Sequence, residues 1–212
     1  MFTIDRLPFV LPQPPLLSSE NAGWEEIQLA IFREPPHEIP KYRSQYHTIC
    51  INLGSSVTLE QCIEGSSGEA HSSWGDMSFY NANFWQTFRW NRETEFLQLY
   101  LEPKFLQQIS NEMGITQSLE EIQLLASSDK LVLQMALALK NSLEDGSGCK
   151  LYATSMTRSL GIHLLSRDRA NNNDRTSGLS QKQIRQVTEY ICDRVSVAVR
   201  LIAYHPISVY PS

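Results

Sequence analysis

The sequence lacks several features that mark specialised classes of protein. Its four cysteines occur in no CxxC or Cys/His spacing, so neither a disulfide framework nor a zinc knuckle is expected. No uncharged apolar run approaches the roughly 18 to 20 residues of a membrane span, and the proline-rich first 20 residues carry no cleavage-site pattern. We therefore expect a cytoplasmic protein without a membrane partner.

Motifs of catalysis are also missing. The 212 residues contain no GxSxG, HExxH, Walker or GxGxxG pattern. Carboxylate pairs such as Glu25/Glu26 are adjacent in sequence, so their side chains point to different faces of a strand or helix. The sequence therefore predicts no enzyme activity, no catalytic residues and no cofactor.

The charge is unevenly distributed. Residues 1–149 carry 9 basic and 19 acidic side chains, whereas residues 150–212 carry 9 basic and 4 acidic ones, so the two parts have net charges of -10 and +5. A basic segment is one sign of nucleic-acid binding. Because this excess is small and spread over 63 residues, a solvated helix face is the favoured interpretation.

The first half of the sequence has the two-residue alternation of β-strands. Prolines at 35, 36 and 40 argue against regular structure there, and the Gly/Ser-rich stretch from Glu64 to Gly75 is predicted as a loop. Six strands at regular spacing indicate a small antiparallel barrel or sandwich. The predicted strands are Glu26–Arg33, Tyr46–Leu53, Val57–Ile63, Asp76–Asn81, Phe84–Trp90 and Glu95–Leu101.

The pattern becomes helical at Pro103, a proline suited to the first position of a helix. Apolar stripes and capping signals predict further helices, so the fold class is α+β. A linker is expected at Ala170 to Ser177. The predicted helices are Pro103–Met113, a short one opening at Ser118–Glu121, Asp129–Glu144, Lys150–Arg167 and one beginning at Ser180.

Taken in order, five segments resemble bacterial AraC-type transcriptional regulators. They are HTICINLG (47–54), WGDMSFYNANFWQTFRW (74–90), LQLYLEPKFLQQI (97–109), GCKLYATSMTRSLGIHLLSR (148–167) and GLSQKQIRQVTEYICDRV (178–195). The resemblance implies a cupin-like sensing domain that binds a small-molecule effector, followed by a helix-turn-helix domain. The expected organisation is an extended lead-in (1–23), the cupin-like domain (24–102), a helical dimerisation segment (103–170), a linker (171–178) and a remnant of the DNA-binding domain (179–212).

The last part departs from the family pattern. Regulators of this type continue with two helix-turn-helix units, whereas here Ser196–Ser212 follows, with Pro206 and Pro211 and only Arg200 as a basic residue. A groove-reading helix needs several polar or basic side chains on one face. The expectation is a truncated reader, with DNA bound only if a partner supplies the missing units.

An aromatic cluster supplies candidates for the effector site. Strand alternation puts Phe84, Gln86, Phe88 and Trp90 on one side and Trp85, Thr87 and Arg89 on the other. Such residues can simply fill a core, or they can line a pocket together with a polar partner. The predicted ligand-binding residues are Arg43, His47, Trp74, Trp85, Phe88 and Trp90.

A possible homodimer contact and a rival function complete the predictions. In the helix at 150–167, Tyr152, Met156, Leu160 and Leu164 recur every four residues; the resemblance implies antiparallel helix pairing, although the stripe could also pack on the sheet.

The rival function is a stand-alone cupin-type metalloenzyme, an isomerase or dioxygenase. Because the HxH, Glu and distant His typical of metal-binding cupins have no counterpart here, no metal ligands are predicted.

Overall fold

A computed structural model describes residues 11–115 and 124–174, with side chains described at all of them except 124–125 and 168–174. These residues form ten strands and three helices. The strands are β1 (Leu17–Ser18), β2 (Ile27–Glu34), β3 (His37–Tyr42), β4 (His47–Asn52), β5 (Val57–Ile63), β6 (Ser66–Ser72), β7 (Asp76–Tyr80), β8 (Gln86–Trp90), β9 (Thr94–Leu101) and β10 (Leu124–Ser128). The helices are α1 (Pro103–Glu112), α2 (Lys130–Glu144) and α3 (Lys150–Asp174).

The strands form two open antiparallel sheets. The first has six strands in the order β1-β2-β9-β4-β7-β10, and the second has four in the order β3-β8-β5-β6. All pairings recorded among them are antiparallel. The predicted α+β fold class is confirmed, and the sheets form an antiparallel sandwich followed by helices.

The six-stranded sheet has a different apolar partner on each face. One face contributes Ile49, Ile51, Leu97 and Leu99 to a core that also contains Leu106 and other side chains of the helices. The opposite face contributes Tyr80, Phe96 and Tyr100 to a second core, together with Phe88 and Trp90 of the four-stranded sheet. The sheet is therefore the middle layer between the helices and the smaller sheet.

Strand alternation sorts residues between these cores as the sequence predicts. In β4, Ile49 and Ile51 belong to the helix-side core, whereas Thr48, Cys50 and Asn52 point into the sandwich. The same rule places Leu97 and Leu99 of β9 against the helices and Phe96 and Gln98 inside the sandwich. Successive side chains of a strand point to opposite faces, which makes this sorting a direct consequence of the pleat.

Two sequence predictions in this region are wrong. Prolines do not prevent a strand at 37–42, because β3 lies at the edge of its sheet and its pairing with β8 is irregular between Ile39 and Tyr42, around Pro40. A proline is tolerated at such edges and irregularities because no ladder hydrogen bond is lost. The predicted loop from Glu64 to Gly75 instead contains β6, which pairs in continuous register with β5.

The turn between β5 and β6 explains the second error. Glu64 and Gly65 have φ values of 48° and 82°, and they connect Ile63 to Ser66, which are paired residues. Two residues with positive φ form the tight hairpin turn that suits the twist of antiparallel strands. The stretch therefore returns as a strand, even though its serines and glycine have low intrinsic strand preference.

The helices begin where the sequence predicts. Pro103 lies in the first turn of α1, and Gly114 just beyond its end has a φ of 65°. The Asp129 carboxylate caps α2 by accepting hydrogen bonds from the backbone N–H groups of Leu131 and Val132, both at 3.1 Å. The helix α3 continues to Asp174, so the first residues of the predicted linker are helical.

Other predictions fall outside the described residues. These include the short helix at Ser118–Glu121 and the helix from Ser180 to Val195. The chain divides into two units, residues 1–166 and 167–212, and of the second only the end of α3 is described. Within the described ranges, no helix is both long and apolar enough to cross a membrane.

Candidate functional site

A cavity of about 80 Å³ lies between the two sheets. It is lined by residues from β3 to β9 and by Leu11 from the segment before β1. The lining residues are Leu11, Ile39, Tyr42, Thr48, Cys50, Asn52, Val57, Leu59, Ser72, Ser78, Tyr80, Phe88, Trp90, Thr94, Phe96 and Gln98. An apolar cleft with a few convergent polar groups is the usual form of a small-molecule site.

The six-stranded sheet provides most of the polar wall. Thr48 and Cys50 of β4 lie between Ser78 of β7 and Gln98 of β9, because β4 pairs with both of those strands. The amide oxygen of Gln98 accepts a hydrogen bond from the fully buried Tyr100 hydroxyl. This contact fixes the orientation of the amide that borders the cavity.

The four-stranded sheet provides the aromatic wall. Phe88 packs edge-on against Tyr80 at a ring-centroid distance of 4.9 Å, and Trp90 packs edge-on against Phe96 at 6.3 Å. The Trp90 indole N–H donates to the Pro35 carbonyl at 2.7 Å. Since the indole has its hydrogen bond outside the cavity, it presents only ring surface to a guest.

Burial keeps the ionisable groups of the wall uncharged. Loss of solvation raises the pKa of the Cys50 thiol to about 12. It also raises the pKa of the Tyr42 and Tyr80 hydroxyls above their ordinary value of 10. At neutral pH these three groups are therefore neutral hydrogen-bonding groups, because an ion in this environment would lack both water and a counterion.

Two buried amide oxygens lie beside the aromatic wall. Gln61 is opposite Phe88 in the β5–β8 register, and Gln86 is two residues before Phe88 on the same face. Both side-chain oxygens are shielded from solvent and have no hydrogen-bond partner within the described part of the chain. A buried acceptor without a donor costs about 1–3 kcal/mol, but neither glutamine is among the residues that line the cavity.

The predicted ligand-binding residues do not form one site. Phe88 and Trp90 line the cavity, whereas His47, Arg43, Trp74 and Trp85 are not among its lining residues. The polar wall from Thr48 to Gln98 was missed. The two-residue period of the predicted strand Tyr46–Leu53 carries the signal, because it places Thr48, Cys50 and Asn52 on the face opposite His47.

His47 belongs to the helix-facing side of the sheet. Its ring stacks on Phe79 at a centroid distance of 5.5 Å, and its Nδ1 atom accepts a hydrogen bond from the Ala82 backbone N–H at 3.2 Å. Burial lowers the pKa of the imidazole to about 4, although a hydrogen bond with Asn81 acts in the opposite direction. His47 is therefore neutral at physiological pH and is packed within the fold.

Arg43 and Trp85 meet on the outer surface. The Arg43 guanidinium carbon and the Lys41 ammonium nitrogen each lie 5.2 Å from the Trp85 ring centroid. Such cation–π contacts between solvent-exposed groups are worth roughly 0.5–1 kcal/mol. Trp74 lies just before β7 and is 58% exposed.

The predicted dimerisation stripe is largely internal. Leu160 and Leu164 are buried in the helix-side core, and Met156 packs against it. Buried leucines cannot form a surface for a second chain, so this part of the prediction is wrong for these two residues. Tyr152 remains 37% exposed, and Leu151 and Ile162 are exposed on the same helix.

A second, larger depression lies on the outside of the sandwich. It measures about 390 Å³ and is lined by residues that include Thr58, Glu60, Arg89 and Trp90. Glu60 and Arg89 form an ion pair of 3.5 Å in which both side chains are mostly exposed. We place the candidate site in the smaller cavity, because its lining is mostly apolar with a few convergent polar groups.

The described residues contain no cluster of three or more His, Cys, Asp or Glu side chains that could hold a metal ion.

No protein-family model matches the chain, and no curated protein matches it. Solved structures with a similar fold include a protein of unknown function from Streptococcus pyogenes, at 14% identity with a TM-score of 0.32, covering 37% of this chain and 67% of that one. The Clostridium difficile EutQ protein has 16% identity and a TM-score of 0.34, covering 42% of this chain and 65% of that one. Oxalate decarboxylase of Bacillus subtilis has 15% identity and a TM-score of 0.33, and the match covers 43% of this chain but only 29% of the decarboxylase.

The strand order, the register and the cavity together define a class of protein. The chain contains an antiparallel two-sheet sandwich with a small cavity between its sheets, and helices cover the outer face of its larger sheet.

Proposed function

We propose that this chain is the effector-binding and self-associating part of a cytoplasmic AraC-like transcriptional regulator, and that the cavity between the sheets is its effector site. The observation that carries the proposal is the convergence of Thr48, Cys50, Ser78 and Gln98 on a cavity whose opposite wall is aromatic. The resemblance of the sequence to such regulators supports the same role. The segment that resembles their DNA-binding domain, Gly178–Val195, lies outside the described residues.

The position of the cavity also supports a sensing role. Its polar wall belongs to the same strands that form the floor of the helix-side core, since Cys50 alternates with Ile49 and Ile51. A ligand changes the behaviour of a protein only if it binds one arrangement more tightly than another. If a bound guest shifts β4 or β9, the helices feel that shift directly, because the other face of the same strands packs against them.

A thermal-shift screen with a broad set of small metabolites tests the effector site. Binding to the folded state raises the melting temperature. We expect at least one compound to stabilise the wild type and Thr87→Phe but not Cys50→Phe, because phenylalanine at 50 fills the cavity whereas Thr87 lies on the opposite face of β8 from Phe88. Circular dichroism of both variants checks that each is folded. If Cys50→Phe abolishes the melting-temperature shift of no compound in the screen, the proposed effector site is rejected.

We propose self-association through the exposed face of α3. Leu151 and Ile162 are eleven residues apart, which brings them to nearly the same angular position on a helix, and Leu151 is 75% exposed. Sedimentation velocity should show a dimer for the wild type and a monomer for Leu151→Glu combined with Ile162→Glu. A wild-type monomer at tens of micromolar, or a dimer that survives the double variant, would contradict this part of the proposal.

Metal analysis distinguishes the proposed role from the rival one. A stoichiometric transition metal in the purified protein would favour the cupin-type metalloenzyme.

A further inference from the structure

Among the described residues, no charged side chain lines the cavity between the sheets. All sixteen of its residues are aliphatic, aromatic, hydroxyl, thiol or carboxamide residues. An ion moved into such a site would lose its hydration without gaining a partner of opposite charge. The cavity therefore discriminates against both cations and anions.

Three charged groups of the sandwich have partners outside the cavity. Lys41 and Arg43 lie over the outward-facing Trp85 ring. The Glu34 carboxyl is fully buried at the end of β2, but its oxygens accept from the Gln13 backbone N–H at 3.2 and 3.3 Å. None of the three belongs to the cavity lining, so none supplies the counterion that a charged guest would need.

The two walls require a guest with distinct sides. Phe88, Trp90 and Phe96 offer ring surface, whereas Thr48, Cys50 and Gln98 offer neutral donors and acceptors. A hydroxyl group suits this polar wall because it donates one hydrogen bond and accepts others.

The volume limits the size of the guest. The cavity measures about 80 Å³, whereas an engineered apolar cavity that admits benzene has about 150 Å³. The enclosed part of a guest is therefore smaller than an aromatic ring.

We propose that the cavity takes a compact, uncharged, hydroxyl-bearing molecule, with its carbon skeleton against the aromatic wall and its hydroxyl toward the polar wall. This inference rests on the proposed function, since it names the chemical class that the same site would bind. Small neutral alcohols and polyols belong to this class, whereas carboxylates, phosphates and amines do not.

Four compounds of nearly equal shape test the proposal: 2-methylpropan-1-ol, 1-chloro-2-methylpropane, 2-methylpropylammonium and 2-methylpropanoate. Saturation-transfer NMR at pH 7 and constant ionic strength measures binding of each to the full chain. We expect the alcohol to bind at least about tenfold more tightly than either ion, because burying a charge is costly. We also expect it to bind more tightly than 1-chloro-2-methylpropane, which leaves acceptors of the site without a donor. The signal should be lost in Cys50→Phe and kept in Thr87→Phe.

Two results would overturn the inference. One is that an ion binds as tightly as the alcohol and that Cys50→Phe abolishes this binding. That result would support the effector site but would change the class of ligand it binds. The other is the absence of Cys50→Phe-sensitive binding by any of the four compounds. Failure of the effector site itself is a separate result. It requires that no compound of the broad thermal-shift screen gives a melting-temperature shift that Cys50→Phe abolishes.

Discussion

His163 of α3 hydrogen-bonds the residue that caps α2: its Nε2 atom lies 2.9 Å from Oδ2 of Asp129. The other carboxylate oxygen, Oδ1, accepts from the backbone N–H groups of Leu131 and Val132. One side chain thus satisfies the first turn of α2 and also joins it to α3.

The cap supplies the first prediction. Asp129→Ala should lower the free energy of unfolding by about 1–2 kcal/mol, because it removes an N-cap acceptor. Asp129→Asn keeps an acceptor of the same shape and should retain most of that stability. Urea denaturation followed by circular dichroism measures both, and equal losses in the two variants would show that the negative charge matters more than the cap.

Buried His47 should make stability depend on pH. Its pKa is about 4 in the folded chain, compared with an ordinary value of 6.5, so between these values the unfolded chain binds a proton that the folded chain does not. Stability should therefore fall as the pH falls from about 6.5 toward about 4, by on the order of 3 kcal/mol. Urea denaturation at several pH values measures the slope.

His47→Asn tests the assignment of that slope. The asparagine side-chain oxygen can accept the hydrogen bond from Ala82, and it does not titrate, so the contribution of position 47 should disappear. His71→Asn, at an exposed position of β6, is the matched control and should leave the slope unchanged. A slope that survives His47→Asn would assign the pH dependence to other groups.

A close backbone contact makes Gly54 sensitive to substitution. A Cβ atom there would lie 2.8 Å from the Glu95 backbone nitrogen, whereas one at Gly68 would meet nothing within 4 Å. Gly54→Ala should cost about 1–3 kcal/mol through forced displacement of the backbone, and Gly68→Ala should change stability by less than about 0.5 kcal/mol. Comparable effects of the two substitutions in chemical denaturation would contradict the predicted close approach.

Two leucines of α3 should respond very differently to truncation. Leu160 is fully buried and Leu151 is 75% exposed. Leu160→Ala should lower stability by about 2–5 kcal/mol, because it leaves a cavity in the helix-side core. Leu151→Ala should stay within about 0.5 kcal/mol for the monomer, as measured by urea denaturation at a protein concentration below any dimerisation.

Cysteine reactivity tests the environment of the cavity. Cys149 is exposed and Cys50 is half-buried; loss of solvation raises the pKa of Cys50 to about 12 and leaves almost no thiolate at pH 7.5. N-ethylmaleimide should modify Cys149 at least about tenfold faster than Cys50, with mass spectrometry of peptides as the readout. Labelling of Cys50 at the rate of Cys149 in the native protein would show that this thiol is not shielded.

Much of the fold could be predicted because local rules agree with the tertiary structure. Alternation in β4 and β9 located the strands and their faces, and Pro103 and Asp129 marked the starts of helices. The exceptions are places where context overrides composition. Pro40 lies in an edge strand with irregular pairing, and the β6 segment becomes a strand because a two-residue turn places it beside β5.

The candidate site was only partly predictable, for a different reason. The predicted ligand-binding residues include aromatic residues from both faces of the β8 region. In the structure, Trp85 precedes the strand on the outside, whereas Phe88 and Trp90 point inward. The polar wall consists of ordinary residues such as Thr48 and Ser78, which acquire significance only when pairing of β4 with β7 and β9 brings them together. No spacing along the chain encodes that meeting.

Because side chains alternate strictly along β4, only the backbone of this strand separates the cavity from the helix-side core at this position. Cys50 borders the cavity while its chain neighbours Ile49 and Ile51 border the helices. Substitutions that improve the fit on one side therefore constrain what the other side can accept, and we expect the two sets of residues to have evolved together.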